Sequence, residues 1–393
     1  MVKKINSKSI FNLFILLNFI ILCCDADNKI LLYFSIFGLI FSVALNGHIN
    51  KKVFFIDCNV WNFMFLLFSI FSIIWSICIN DSISMIMYFF RRMIIIFAIS
   101  VNLQSVNDLK KILHYYLYAN FFMMLKISYY MFIGYSGVRM WDIICGNYFN
   151  TVAQFLAIGI AIAYYFFSKS INKKFKLFYI LFIAFAFYHI YITGSRKGFI
   201  MPFAEILIFK VIDGGLDVKK ILKNIFIFII VALIIYIFLS KNKEMLYRIR
   251  IIINMLFSGS TGDESTLLRK SYIELSKKMF YNNPIIGNGI NTFASTLQYY
   301  TGAYKYSHNN FMEILSGTGI IGFVLYYWFY IKTIINLFRT RVNNPFGILG
   351  LSIILTILIF EYGIVTYSIY IYPIILSLFS ISCNLKDQIM EVE

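Results

Sequence analysis

Apolar runs separated by short polar stretches repeat from one end of the chain to the other. Runs of about 18 or more apolar residues have the length of a helix that crosses a bilayer. The pattern predicts twelve spans, at 10–24, 30–46, 60–79, 83–101, 112–133, 151–168, 177–193, 199–212, 221–239, 309–331, 346–361 and 367–383. The eighth is the shortest and carries Pro202 and Glu205. The expected fold is an all-α polytopic integral membrane protein of about twelve transmembrane helices.

One long stretch departs from this rhythm. Residues 240–307 hold nine cations against four acids, a net charge of +5. Within it Leu268, Tyr272, Leu275 and Met279 follow the i, i+4, i+7, i+11 spacing of one helix face, while Arg269, Lys270, Glu274, Lys277 and Lys278 fall on the others. Asp263 and Glu264 suit a helix start, and Asn282-Asn283-Pro284 a stop. Met245 to Phe257 has a similar pattern. Basic amphipathic helices beside a membrane commonly lie on its interface, so the loop is expected to form a helical extracytoplasmic cap over one mouth of the bundle. The chain then divides into 1–239 with nine spans, the basic loop 240–307, and 308–393 with three spans and a short cytoplasmic tail.

With 13% charged residues, against about 25% in soluble domains, the chain falls outside the soluble class. The net charge of +17 matters through its placement. Lys and Arg mark cytoplasmic connections. An inside N-terminus puts Lys3, Lys4, Lys8, Lys51, Lys52, Lys110 and Lys111 on that side, and later Lys332, Arg339 and Arg341. The loop 240–307 then faces outward, and an anionic partner at the outer leaflet is the simplest reason for its charge. The start of the chain lacks a small-residue cleavage site and reads as a retained first span. The six cysteines show no CxxC and no metal spacing with the four histidines, so they read as apolar fillers.

Four polar features fall on the outer side under this topology. Arg139 and Asn147 separate the fifth and sixth spans, and Ser195, Arg196 and Lys197 follow the seventh. The basic loop supplies Arg269 and the turn Pro284-Ile285-Ile286-Gly287-Asn288-Gly289. His308-Asn309 opens the tenth span, with Gly317, Gly319 and Gly322 close behind. A helix N-terminus offers unpaired N–H groups and partial positive charge to an anion, and glycines let a neighbouring helix or a lipid approach the backbone. Arg196, Arg269 and, third, Arg139 have planar forks that bind phosphate oxygens in pairs. His308 suits two roles: as imidazolium a phosphate ligand, as neutral imidazole a base for a hydroxyl proton. The plainer readings are a snorkelling anchor for Arg196 and Lys197, a solvated helix face for Arg269, a loop cation for Arg139 and a helix cap for His308. Arg91-Arg92 interrupts the fourth span, where a cation costs about 2.5–3.5 kcal/mol. The pair is expected to face a cavity or a partner, or else that span is shorter and shifted. Tyr299, Tyr300, Tyr304 and Tyr306 suit either stacking on sugars or anchoring at the interface.

In their order, Arg139…Asn147, Ser195-Arg196, Arg269, Pro284 to Gly289 and His308-Asn309…Gly319-Ile320-Ile321-Gly322 resemble the signature of the O-antigen ligase/polymerase family of bacterial membrane glycosyltransferases, over roughly residues 135–335. Gly317 departs from it, since relatives often carry an acidic residue there; Glu313 lies on the same helix. The resemblance implies an architecture similar to C-type glycosyltransferases, placed in the bacterial cytoplasmic membrane with the active site facing outward. It implies transfer of a glycan from an undecaprenyl-pyrophosphate-linked donor to an acceptor hydroxyl, on a growing glycan or a lipid core. His308, Arg196 and Arg269 would be catalytic. Arg139, Asn147, Ser195, Lys197 and Asn309 would bind substrate, with Arg91 and Arg92 added for the carrier's phosphate path. Asp25-Ala26-Asp27, between the first two spans, has DxD spacing; the expected reaction nonetheless uses no metal or other cofactor. Further expected partners are membrane lipids and a chain-length regulator or flippase, and not nucleic acid. From another class, a transporter or flippase of anionic lipid-linked glycans would also want intramembrane arginines. It would often show internal repeats, and none is evident.

Overall fold

In the computed structural model of the chain, residues 7–46, 49–135, 140–215 and 264–385 are described, with the isolated positions 219, 222, 223 and 226. Every regular element among them is helical. First come α1 (Ser7–Cys24), α2 (Lys29–Ala44), α3 (Asp57–Phe71), α4 (Ile79–Asn102), α5 (Val106–Phe132) and a short α6 (Met140–Cys145). Then follow α7 (Phe149–Lys169), α8 (Lys173–Thr193), α9 (Arg196–Asp213), α10 (Glu264–Asn282) and α11 (Phe293–Thr301). The last three are α12 (Asn310–Thr340), α13 (Gly347–Phe360) and α14 (Ile371–Ser382). Eleven of the twelve predicted spans coincide with helices; the ninth, 221–239, lies outside the described residues, as does Met245–Phe257. Six helices (α1, α3 with its 3₁₀ extension, α4, α7, α8 and α12) are long and apolar enough to cross a membrane. The molecule is a polytopic helical membrane bundle.

Polar residues at the ends of the apolar runs start the helices. Asn28, Ser105, Asn172, Ser195 and Asn309 each accept a backbone N–H from the first turn that follows, and Ser105 with Asp108 forms a full capping box. The centre of the bundle is α7, the most enclosed of the six long helices, packed against α5, α8 and α9. Several boundaries differ from expectation: α5 starts at Val106 where 112 was predicted, and α12 runs to Thr340 where 331 was predicted. The third span, predicted to reach 79, leaves the α-helix at Phe71 and passes through a 3₁₀ turn at Ser72–Trp75. There Ile77 N–H donates to Asn288 O (3.1 Å) and Trp75 Nε1 to Ile286 O (3.2 Å). The backbone is held by a distant turn, which hydropathy does not register.

That turn also explains two of the glycines after His308. Inside α12 the chain breaks at Gly319 (φ 62°, ψ −166°), a left-handed conformation that suits glycine. The freed N–H groups of Ile320 and Ile321 donate to Pro284 O (2.9 Å) and Ile285 O (3.2 Å). Asn288 Nδ2 donates to Met279 O and Ser316 O, both at 2.8 Å. A Cβ on Gly287 would lie 2.4 Å from Gly317 C, and one on Gly319 2.4 Å from Ile285 C. The neighbour that Gly317 and Gly319 admit is a turn of the same chain, whereas Gly322 lies against Phe68 of α3, the close helix approach expected of it.

Helix α10 ends at Asn282, where the sequence places its stop, and its described part starts at Glu264. Tyr272, Leu275 and Met279 pack with Phe293 and Leu297 of α11 in a small separate core, and α10 also lies against α12. Leu268, at the head of the predicted stripe, is instead 48% exposed.

Candidate functional site

Two tight local structures present the key cations and the imidazole. Gly194 takes a left-handed conformation (φ 64°) that ends α8, and Ser195 caps α9 at once, so Arg196 and Lys197 are the first residues of that helix. Ser195 Oγ accepts from Gly198 N–H (3.1 Å) and donates to Asn150 Oδ1 (2.7 Å). Lys197 Nζ donates to Gly363 O in the connection between α13 and α14. His308 is itself left-handed (φ 60°), which is uncommon outside glycine. The surrounding bonds hold it there. Ser307 N–H donates to the buried Glu313 Oε2 (2.7 Å), and Ser307 Oγ to Asn309 O (2.9 Å). Asn309 caps α12 and donates from Nδ2 to Tyr362 O (3.2 Å). The imidazole rests on the Tyr306 ring at 4.2 Å between centroids, with Tyr272 stacked at 6.2 Å and 12°.

These elements enclose a cavity of about 1290 Å³ at one end of the bundle. Arg196, Lys197, Arg269, Lys270 and His308 line it together with Asn147, and among the described residues no Asp or Glu does. Leu22, Phe149, Ile200, Ile273 and Phe360 supply apolar wall. Burial first, and then the charges of Arg269, Lys197 and Lys305, push the His308 pKa down to about 3. At neutral pH the imidazole is therefore uncharged. Burial and then Arg269 lower Lys197, at the head of α9, to about 8.

Of the residues singled out from the sequence, His308, Arg196, Lys197, Arg269 and Asn147 thus share one cavity. Ser195 and Asn309 stand behind it as helix caps. Arg91 and Arg92 do not line it. Arg92 is buried, donating to Asn62 Oδ1 (2.9 Å) and Tyr367 O (3.3 Å) between the rings of Trp61 and Phe89. Arg91 donates to the hydroxyls of Tyr33 and Tyr370, both at 2.9 Å, and Tyr370 lines the cavity. Arg139 lies outside the described residues. Tyr306 lines the cavity, whereas Tyr299 and Tyr300 are exposed. Sequence reading missed Lys270, Asn150, Thr151 and Gln154 as lining residues. A signal existed for the last three: with Asn147 they are spaced i, i+3, i+4, i+7 at the head of an otherwise apolar span.

No curated protein matches the chain. Residues 180–327 match the model of a family described as O-antigen ligase (Wzy_C). The matched segment runs from within α8 past the break in α12, and so carries Arg196, Lys197, Arg269 and His308. Arg196, Lys197, Arg269 and His308 thus share one cavity and lie within the segment that is similar to the O-antigen ligase (Wzy_C) family.

Proposed function

We propose that the chain is a membrane glycosyltransferase that moves a glycan from an undecaprenyl-pyrophosphate carrier to an acceptor hydroxyl, as polysaccharide polymerase or O-antigen ligase. The observation that carries this reading is the convergence of Arg196, Lys197, Arg269 and an uncharged His308 on a cavity without carboxylates among its described lining. In the reaction the acceptor oxygen bonds to the anomeric carbon and the bond from that carbon to the diphosphate breaks. The electron pair leaves with the diphosphate, and the acceptor's proton must be taken up. Fixed cations aimed at the departing oxygens stabilise the charge as it develops, and guanidinium forks suit diphosphate geometry.

His308 fits the proton's destination better than it fits a phosphate ligand, because an uncharged imidazole has a free acceptor nitrogen. A bound diphosphate would sit among the same cations that depress its pKa, and so would raise it toward the range where a base is effective. The donor itself would thus prepare the base. In this reading attack from the face opposite the diphosphate inverts the anomeric centre. The cavity faces the periplasm or cell exterior, 240–307 is the outer helical cap of a twelve-span bundle, and a chain-length regulator or flippase works alongside.

The test is purified protein in lipid nanodiscs with undecaprenyl-pyrophosphate-linked repeat units, with and without a lipid-core acceptor. Longer chains on the carrier assign a polymerase, and glycan on the acceptor alone assigns a ligase. Donor that binds and is recovered unchanged under both conditions overturns the enzyme reading in favour of transport.

A further inference from the structure

Helix α7 is buried and apolar through most of its length, yet its first turns carry Asn150, Thr151 and Gln154, with Asn147 just ahead of it. The four share the cavity wall, and Thr151 and Gln154 are 8% and 1% exposed. A buried amide without a purpose costs stability, so how Gln154 and the half-buried Asn147 and Asn150 are satisfied is informative. Asn147 Nδ2 donates to Leu22 O (3.0 Å) and Cys145 O (3.2 Å), which leaves its Oδ1 as an acceptor. Ser195 Oγ already accepts from Gly198, so its proton goes to Asn150 Oδ1, and the Asn150 Nδ2 donors are left over. Tyr372 Oη donates to Gln154 Oε1, which leaves the Gln154 Nε2 donors. The surrounding protein thus fixes the orientation of each amide and keeps one side of it unused.

The result is a neutral strip that offers one amide oxygen, two amide nitrogens and a hydroxyl along one helix face. Aromatic rings of Tyr148, Tyr88 and Tyr370 line the same cavity. Mixed donors and acceptors beside aromatic faces suit a sugar ring, whose hydroxyls both donate and accept and whose C–H faces are apolar. Phosphate would instead want cations, and those stand one and two residues beyond Ser195, at Arg196 and Lys197.

We propose that the Asn147–Asn150–Thr151–Gln154 face of α7 is a subsite for a sugar ring of the glycan, beside the cation cluster that takes the diphosphate. This rests on the glycosyl-transfer reading, and the ring belongs either to the donor glycan next to the diphosphate or to the incoming acceptor.

Thr151→Val and Gln154→Met test it, since each removes hydrogen-bonding groups at nearly constant volume and leaves the cations in place. Three ligands are titrated against wild type and both variants in nanodiscs: undecaprenyl pyrophosphate without sugar, the same carrier bearing one repeat unit, and the sugar-bearing acceptor. The expected result is unchanged affinity for the sugar-free carrier and a loss of about tenfold for a sugar-bearing ligand, the size expected when a buried polar group loses its partner. Loss with the glycosylated carrier places the donor sugar on α7; loss with the acceptor places the acceptor sugar there. Equal weakening of sugar-free and sugar-bearing ligands, or no change with any of them, overturns the subsite. If wild type fails to bind the sugar-free carrier at all, the diphosphate reading itself fails, and the subsite with it.

Discussion

The two ends of the bundle use positive charge in opposite ways. At the end away from the cavity, Lys8 meets Asp108 and Lys332 meets Asp57, each at 2.6 Å, and Asp108 also completes a helix capping box. Around the cavity, Arg196, Lys197, Arg269 and Lys270 gather with His308 and no carboxylate in the described wall. Cations paired with acids spend their field within the protein and serve anchoring and topology. Around the cavity burial first, and then the neighbouring cations, lower Lys197 and hold His308 uncharged, a cost in stability that a bound anion would offset. The contrast separates cations matched to acids from cations gathered on a wall without described acids, which a count of Lys and Arg does not do.

The largest effects should come from removing the gathered charge. Arg196→Ala, Arg269→Ala and His308→Ala are each expected to slow single-turnover transfer by on the order of 10²–10³-fold while the protein stays inserted and abundant. Normal turnover in any of them would take that residue out of the site. Next comes making the cavity resemble the other end. Ile273 lines the cavity one helical turn after Arg269, so Ile273→Glu adds an i, i+4 acid that neutralises the guanidinium. It should weaken binding of the sugar-free carrier by roughly tenfold, an effect of electrostatic size that shrinks as salt is added.

The pH profile gives a third, smaller test. The free enzyme's His308 is already deprotonated down to about pH 3, so kcat/KM should show no acid limb near 6.5 from this residue. The acid limb of kcat, which reports the bound complex, should lie at higher pH than that of kcat/KM. As pH rises through about 8, Lys197 loses its proton and kcat/KM should fall. An acid limb of kcat/KM at the ordinary imidazole value would mean that the cations do not act on His308. Smallest of all, Lys332→Met breaks a half-exposed ion pair with Asp57 and should cost no more than about 1 kcal/mol. Thermal unfolding in detergent would measure that shift, with transfer activity unchanged.

Much of the fold was legible because a membrane helix is specified locally, by a run of apolar residues and a capping group at its end. Asn28, Ser105, Asn172, Ser195 and Asn309 cap the helices they precede. Asn282-Asn283-Pro284 stops α10 where it was expected to. Reading fell short where the partner was distant in the chain. The third span ends early because Asn288 O takes the Ile77 N–H and Ile286 O the Trp75 indole N–H, each from more than 200 positions away. Gly317 and Gly319 of α12 have a purpose only once the 284–289 turn is seated against them. Arg92 looked like a cavity residue until Asn62, Trp61 and Phe89 were found around it.

By itself, the sequence determined that the chain is a bundle of membrane helices and which residue types suit phosphate and proton chemistry, since span length, capping and side-chain pKa are properties of short segments. Only the tertiary structure decided that Arg196, Lys197, Arg269 and His308 meet, that no described acid lines the cavity with them, and that the imidazole is consequently neutral. Those outcomes depend on burial and on charge-to-charge distance across segments as far apart as 196 and 308, and helix packing alone sets both.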